Sequence, residues 1–171
     1  MLLWHAGIAA AIVYVTLGRA RIDYRFILLG AIVPDLLDGA LSLLWFPEWE
    51  GRGISHSVVA VVLVAVVVIV GLRGTIRLAL FGLPVGWLLH LVGDGLWGEP
   101  EILLWPLFGT ELDPTVGEPY SWVLFTDPIA HLGTWAGELV GLAILAWFVV
   151  AFRLRESERR ARFLRDGLLR A

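Results

Sequence analysis

The sequence predicts an all-α fold, a polytopic integral membrane protein with five transmembrane helices, and three observations carry that prediction. First, 58% of the 171 residues are hydrophobic and only 17% are charged, against about 45 to 50% and about 25% in soluble domains. Second, five stretches of 17 to 22 residues are nearly free of charge, each long enough to cross about 30 Å of hydrocarbon as a helix. Third, the arginines between those stretches fall almost entirely on one side.

The first stretch, Leu2 to Gly18, has the length of a signal peptide, but its arginines follow it rather than precede it, so it reads as an uncleaved helix. The second, Arg25 to Phe46, is the weakest by hydropathy because it carries Asp35 and Asp38, and a re-entrant or half-buried helix is the alternative there. The third, Ile54 to Leu72, contains a valine-rich run that in water would suggest a strand; its length decides for helix. Pro84 should kink the fourth, Leu78 to Trp97. The fifth runs from Leu132 to Phe152. Lipid leaves an exposed backbone few options besides helices of this kind. Five spans leave no room for a separate soluble domain. Residues 1–152 form the membrane domain, and 153–171 a basic amphipathic tail with Phe163, Leu164, Leu168 and Leu169 set against arginines, expected to lie along the cytoplasmic surface.

Orientation follows from charge. Twelve of the thirteen basic residues, all arginine, lie in the first and third connections and the tail; the second connection has Arg52 alone. The fourth connection, 98–131, has none and carries six carboxylates. The positive-inside rule therefore places the N-terminus and the acidic loop outside and the tail in the cytoplasm, in a multi-pass protein of the cytoplasmic or inner membrane. A net charge of −3 without any lysine does not indicate nucleic-acid binding, and the absence of cysteine excludes disulfides and thiolate metal sites.

Ionisable side chains inside hydrocarbon are costly and mark function by default. Counting about 1.5 Å per residue from the cytoplasmic ends puts Asp35 near mid-membrane, Asp38 and His90 each about 18 Å in, and Asp94 about 24 Å in. His5 and His56 fall within about a turn of the outer ends of their spans, with His131 and Glu138 at the outer start of the fifth. Asp35 and Asp38 are three apart and His90 and Asp94 four apart, so each pair shares a helix face. Nitrogen and carboxylate ligands on facing helices suit a divalent ion, zinc or manganese, and such an ion would compensate the two aspartates. Gly39, Gly86 and Gly93 would allow the helices to approach closely. Taken singly, each residue has a plainer reading. Asp35 after Pro34 is a helix cap, His5 and His131 are interfacial anchors, and Glu138 bonds a neighbouring helix. Trp4, Trp45, Trp49, Trp97 and Trp122 form an aromatic belt. Asp127 before Pro128 caps the fifth span. For Asp35, Asp38, His56, His90 and Asp94 together the plain reading loses, because chance would scatter them over both leaflets.

Four motifs then resemble a known family in order and spacing. They are Pro34-Asp35-Leu36-Leu37-Asp38, Arg52-Gly53-Ile54-Ser55-His56-Ser57, His90-Leu91-Val92-Gly93-Asp94 and Leu104-Trp105-Pro106-Leu107-Phe108, with His5 at the place of an early histidine. The chain resembles the YdjM-like family of membrane-bound metal-dependent hydrolases over roughly residues 1–150. It departs from that pattern at Gly51, where the family has another histidine, and in having two residues rather than one between the aspartates. More distantly, the ligand order is similar to that of zinc-dependent phospholipase C, but His131 and Glu138 are seven apart rather than four.

The resemblance implies metal-dependent hydrolysis, with a phosphoester in a membrane lipid or lipid-linked molecule as the expected substrate. Asp38, His56, His90 and Asp94 are the expected metal ligands, Asp35 a ligand or general base, and His5 a ligand or proton shuttle. Arg52 at the mouth would hold a phosphate bidentately, or else a lipid headgroup. The rival classes are an ion or proton transporter, which would need polar residues through the inner half where there are almost none, and a non-catalytic scaffold.

Overall fold

A computed structural model describes residues 1–17, 22–44, 52–109 and 131–170. Every regular element among them is helical. The helices are α1 (Leu2–Leu17), α2 (Tyr24–Gly30), α3 (Val33–Leu44), α4 (Val58–Val66), α5 (Gly74–Leu80), α6 (Gly82–Gly93), α7 (Pro100–Leu103), α8 (Leu132–Ala151) and α9 (Ser157–Asp166). Tight 3-10 turns at Ile54–His56 and Leu96–Gly98 flank the site described below, and a π-helical turn, Val67–Gly71, continues α4. Arg19, Arg21, Trp45, Trp49 and Trp122, with the acidic segment 110–130 and its Asp127 cap, lie outside the described residues.

Two of the expected spans are interrupted, for identifiable reasons. The stretch from 25 to 44 breaks at Ala31–Ile32, where Pro34 has no N–H to return to the Gly30 carbonyl. The stretch from 74 to 93 breaks at Phe81, one turn before Pro84, whose ring crowds the Leu80 carbonyl. Among the described residues two stretches are long and apolar enough to cross a membrane: 74–93, which qualifies despite its break, with mean hydropathy 1.6, and 132–151, with 1.8. The apolar helices Leu2–Leu17 and Val58–Gly71 are shorter.

Helix α6 is central and meets α1, α2 and α4, while α1 also runs along α8. The α2–α6 contact is close enough that a Cβ on Gly86 would lie 2.1 Å from the Ile27 carbonyl oxygen, and one on Gly30 2.1 Å from that of Leu83. Gly39, by contrast, faces open space, so it serves no helix contact of this kind. Two apolar clusters result. One gathers Ala9, Val13, Ile22, Tyr24, Ile27, Phe148 and Phe152; the other gathers Val61, Trp87, Leu91, Leu96 and Ile102. The polar groups lie between and beside them while the outside is apolar. His56, His90 and Ser57 are at most 1% exposed, whereas Leu132, Leu139 and Val150 are around 60% exposed. That inversion of the water-soluble pattern is what a lipid environment selects.

The tail folds back. Leu169 joins the first cluster, the Gly167 carbonyl accepts from the Tyr24 N–H, and Arg25 donates to the Leu164 carbonyl. Its helix is amphipathic as expected; Phe163 packs against the first cluster, while Leu164 is 61% exposed.

Candidate metal centre

The Ser55-His56-Ser57 segment enters α4 through a tight turn, and the reason is capping. Ser57 accepts from the Ala60 N–H with its hydroxyl and donates to the Ile54 carbonyl, which ends the 3-10 turn and starts the helix. The Ser55 hydroxyl donates to the Pro34 carbonyl, and the Trp87 indole donates to the Ser55 carbonyl. The segment is thus pinned between α3 and α6 with His56 pointing inward.

Asp38 completes the pinning. Its Oδ2 accepts from the Gly53 N–H at 2.7 Å and its Oδ1 from the Ser55 N–H at 3.1 Å. The same Oδ2 lies 2.6 Å from His56 Nδ1. A carboxylate accepting three donors holds the imidazole in the tautomer with its proton on Nδ1, leaving a lone pair on Nε2. His90 is held in the same way by a carbonyl, since its Nδ1 lies 2.8 Å from the oxygen of Ala31. The break at Ala31–Ile32 therefore has a use, because that carbonyl is turned toward α6.

The two Nε2 atoms then face each other at 3.1 Å. Two lone pairs at that distance repel, and only a cation between the rings, a proton or a metal ion, reconciles them. Carboxylates stand on both nitrogens. Asp35 Oδ1 lies 3.4 Å from His56 Nε2 and 3.5 Å from His90 Nε2, and Asp94 Oδ2 lies at the same two distances. Each carboxylate oxygen closes a triangle with sides of 3.1, 3.4 and 3.5 Å. Pairs of metal–ligand bonds near 2.1 Å span such sides at roughly 95–115°. The spacing and the donor chemistry fit a divalent ion. Asp35, His56 and His90 form one set able to hold it, and His5, His90 and Asp94 another.

His5 comes from α1. It is 2% exposed, its ring centre lies 3.9 Å from that of His90 with the planes tilted by 36°, and its Nε2 lies 3.1 Å from Asp94 Oδ1 without the alignment of a hydrogen bond. Gly93 makes the room, since a Cβ there would lie 2.9 Å from His5 Nδ1. Arg52 sits at the rim, with Nε 3.6 Å from Asp94 Oδ2 and Nη1 donating to both oxygens of Glu99 at 2.9 and 2.7 Å. Glu138 of α8 accepts from the Leu3 N–H at 2.9 Å, which ties α1 to α8 at this end.

The structure brings His5, Asp35, His56, His90, Asp94 and Arg52 together. It places Asp38 on the opposite edge of the His56 ring from Nε2, with both oxygens engaged, and puts Asp35 where a ligand would be. The helical count placed Asp38 at the depth of His90 and Asp35 a step deeper. That count assumed one straight helix, and the break before Pro34 rotates and offsets α3. Glu99, Ser55 and Trp87 were not singled out for a role. Ser55 had a signal, since it belongs to the Arg52–Ser57 motif; Glu99 and Trp87 had none that periodicity could show.

Residues 1–159 match the family described as YdjM inner membrane protein. The chain belongs to that family. The match takes in every residue of the cluster and stops within α9, so the YdjM assignment covers the membrane-type helices and the start of the tail helix. No curated protein and no solved structure matches the chain.

Proposed function

We propose that this YdjM protein is a metal-dependent hydrolase acting on a phosphoester of a membrane lipid or lipid-linked molecule at the outer face of the membrane. The reading has the chain cross five times, through α1, the α2–α3 pair, α4 with its π-turn, α5–α6, and α8. The N-terminus lies outside and the tail in the cytoplasm. The arginine distribution and the apolar exterior support that topology. Reporter fusions after residue 115 are expected to read external and C-terminal fusions cytoplasmic; a cytoplasmic acidic loop would sink the placement.

One observation carries the chemistry: two imidazoles whose Nδ1 protons are both assigned elsewhere bring their bare Nε2 atoms to 3.1 Å, flanked by two carboxylates. His56, His90, Asp35 and Asp94 would hold the ion, zinc by preference of the nitrogen ligands and manganese as the alternative. When bound, such an ion supplies Lewis acidity and lowers the pKa of a water toward 7. The remaining work belongs to side chains. Asp38 orients His56, and the Ala31 carbonyl orients His90. His5, buried and without an aligned partner, is placed to take and return a proton. Arg52 faces the mouth to receive the phosphate. The shape of the cluster accounts for the revised roles of the two aspartates, Asp35 as ligand and Asp38 as the residue behind it.

Elemental analysis of the protein purified in detergent tests this directly. About one equivalent of zinc or manganese is expected, falling in His90→Ala and Asp94→Asn. A metal-free wild-type protein that stays so after reconstitution with either ion would assign the charge between the rings to a proton and remove the hydrolase reading.

A further inference from the structure

Arg52 contrasts with the other buried-end arginine pair in how it holds its carboxylate. Arg25 grips Asp23 with a fork, Nε on one oxygen at 3.0 Å and Nη2 on the other at 2.6 Å, and that aspartate is 4% exposed. Arg52 instead uses the single nitrogen Nη1 for both oxygens of Glu99. Both partners are partly exposed, and among the described residues no contact engages Arg52 Nη2. A one-nitrogen pair open to solvent is weak and exchangeable. The Glu99 backbone just before α7 is fixed between the buried Leu96 and Ile102, but its side chain is 37% exposed, so a change of rotamer releases Arg52 without moving the packed helices.

We propose that Glu99 is an internal stand-in for the substrate's phosphate: its carboxylate occupies Arg52 in the resting protein and is displaced when a phosphate oxyanion enters the mouth. Glu99 is thereby a specificity residue. It raises the threshold for weakly charged or neutral molecules, which cannot compete for the guanidinium, and admits a dianionic group that makes two parallel hydrogen bonds to it. Arg52 keeps its Nε beside Asp94 in both states, so the exchange delivers the phosphate next to the histidine pair. This inference rests on the phosphoester reading above.

The test uses the full chain in detergent, with and without zinc, titrated calorimetrically with inorganic phosphate and, separately, with phosphatidic acid in mixed micelles against phosphatidylcholine. Glu99→Gln keeps the shape of the side chain and removes the charge, and is expected to tighten phosphate binding about two- to fivefold, the range of an exposed ion pair. Arg52→Gln should weaken it about tenfold or more. In the double variant the gain from Glu99→Gln should vanish, because there is no guanidinium left to release. Glu101→Gln, two residues away and exposed, controls for simple loss of negative charge and should do little. Greater tightening for phosphatidic acid than for inorganic phosphate assigns the anion to a lipid, and equal tightening to a water-borne phosphate. Unchanged or weaker phosphate binding in Glu99→Gln, an equal effect of Glu101→Gln, or a gain that persists without Arg52 would overturn the exchange. Zinc content is read on the same samples. Zinc bound normally with no Glu99 effect removes this inference alone, while absence of zinc from the wild type removes the hydrolase reading whatever phosphate does.

Discussion

Two buried aspartates, Asp23 at the start of α2 and Asp38 in the middle of α3, are about equally inaccessible, at 4% and 2% exposed. Asp23 caps α2 by accepting from the Arg25 N–H at 3.0 Å and closes on the guanidinium of the same arginine. Its carboxylate is taken up by the backbone and guanidinium of Arg25, and the same guanidinium fastens the tail by donating to the Leu164 carbonyl. Asp38 also takes two hydrogen bonds from backbone N–H groups, but its third partner is an imidazole with one nitrogen still open. The comparison teaches that burial of a charge does not identify function. What distinguishes the two is whether the network ends in a group with unused coordinating capacity. At Asp23 it closes on itself, and at Asp38 it passes through His56 to a second imidazole whose Nε2 faces that of His56 at 3.1 Å.

Substitutions should therefore separate along the same line. The largest effect is expected at the open end of the network. Asp35→Asn leaves His56 and His90 with one carboxylate fewer and should lower zinc affinity by two orders of magnitude or more, read by competition with a chelator, with about 1 kcal/mol or less lost from stability because Asp35 is only partly buried. Retention of zinc with loss of turnover would return Asp35 to the role of base. Asp38→Asn comes next. An amide oxygen still accepts on one side, but the NH2 then faces either the Ser55 N–H or the Gly53 N–H and His56 Nδ1, so the hold on the His56 tautomer is weakened. A 10- to 100-fold loss of zinc affinity is expected, the usual cost of removing a ligand's supporting partner.

At the closed network the readout changes from metal to stability. Asp23→Ala removes the α2 cap and the partner of Arg25, and should cost about 2 kcal/mol, seen as a lower thermal midpoint and earlier proteolysis of residues 157–170, with zinc content unchanged. Gly167→Ala should act in the same direction and less, about 1 kcal/mol. Gly167 has φ of 70°, and a Cβ there would fall 1.6 Å from Asp23 Oδ1, so the tail must shift rather than the helix. Loss of zinc in either variant would break the separation between the two ends.

The helices, their apolar character and the set of residues that meet at the site were legible because they depend on spacing. His90 and Asp94 share a face of α6 by being four apart, and α1 and α8 follow their apolar runs to within a residue or two. The kink at Pro84 was equally local. The division of labour between Asp35 and Asp38 was not legible, because it turns on a two-residue break at Ala31–Ile32 that rotates α3 relative to α2. A rise of about 1.5 Å per residue holds only along an unbroken axis. The pairing of Glu99 with Arg52 joins two segments 47 positions apart and has no periodic signature. Nor does an amphipathic tail reveal whether its apolar side meets lipid or the Ile22–Phe152 cluster; both satisfy the same pattern.

The sequence by itself thus determined the class of the chain, because hydropathy and helical period are properties of neighbours along the backbone. It also determined which side chains had to find polar partners, because a charged or imidazole group in an apolar helix cannot be left alone. Only the tertiary structure decided which atom of each partner is engaged. His56 and His90 face each other through Nε2 because Asp38 and the Ala31 carbonyl, from a different helix pair, occupy their Nδ1 atoms. That choice of nitrogen is made by hydrogen bonds across 18 and 59 residues, and no local pattern encodes it.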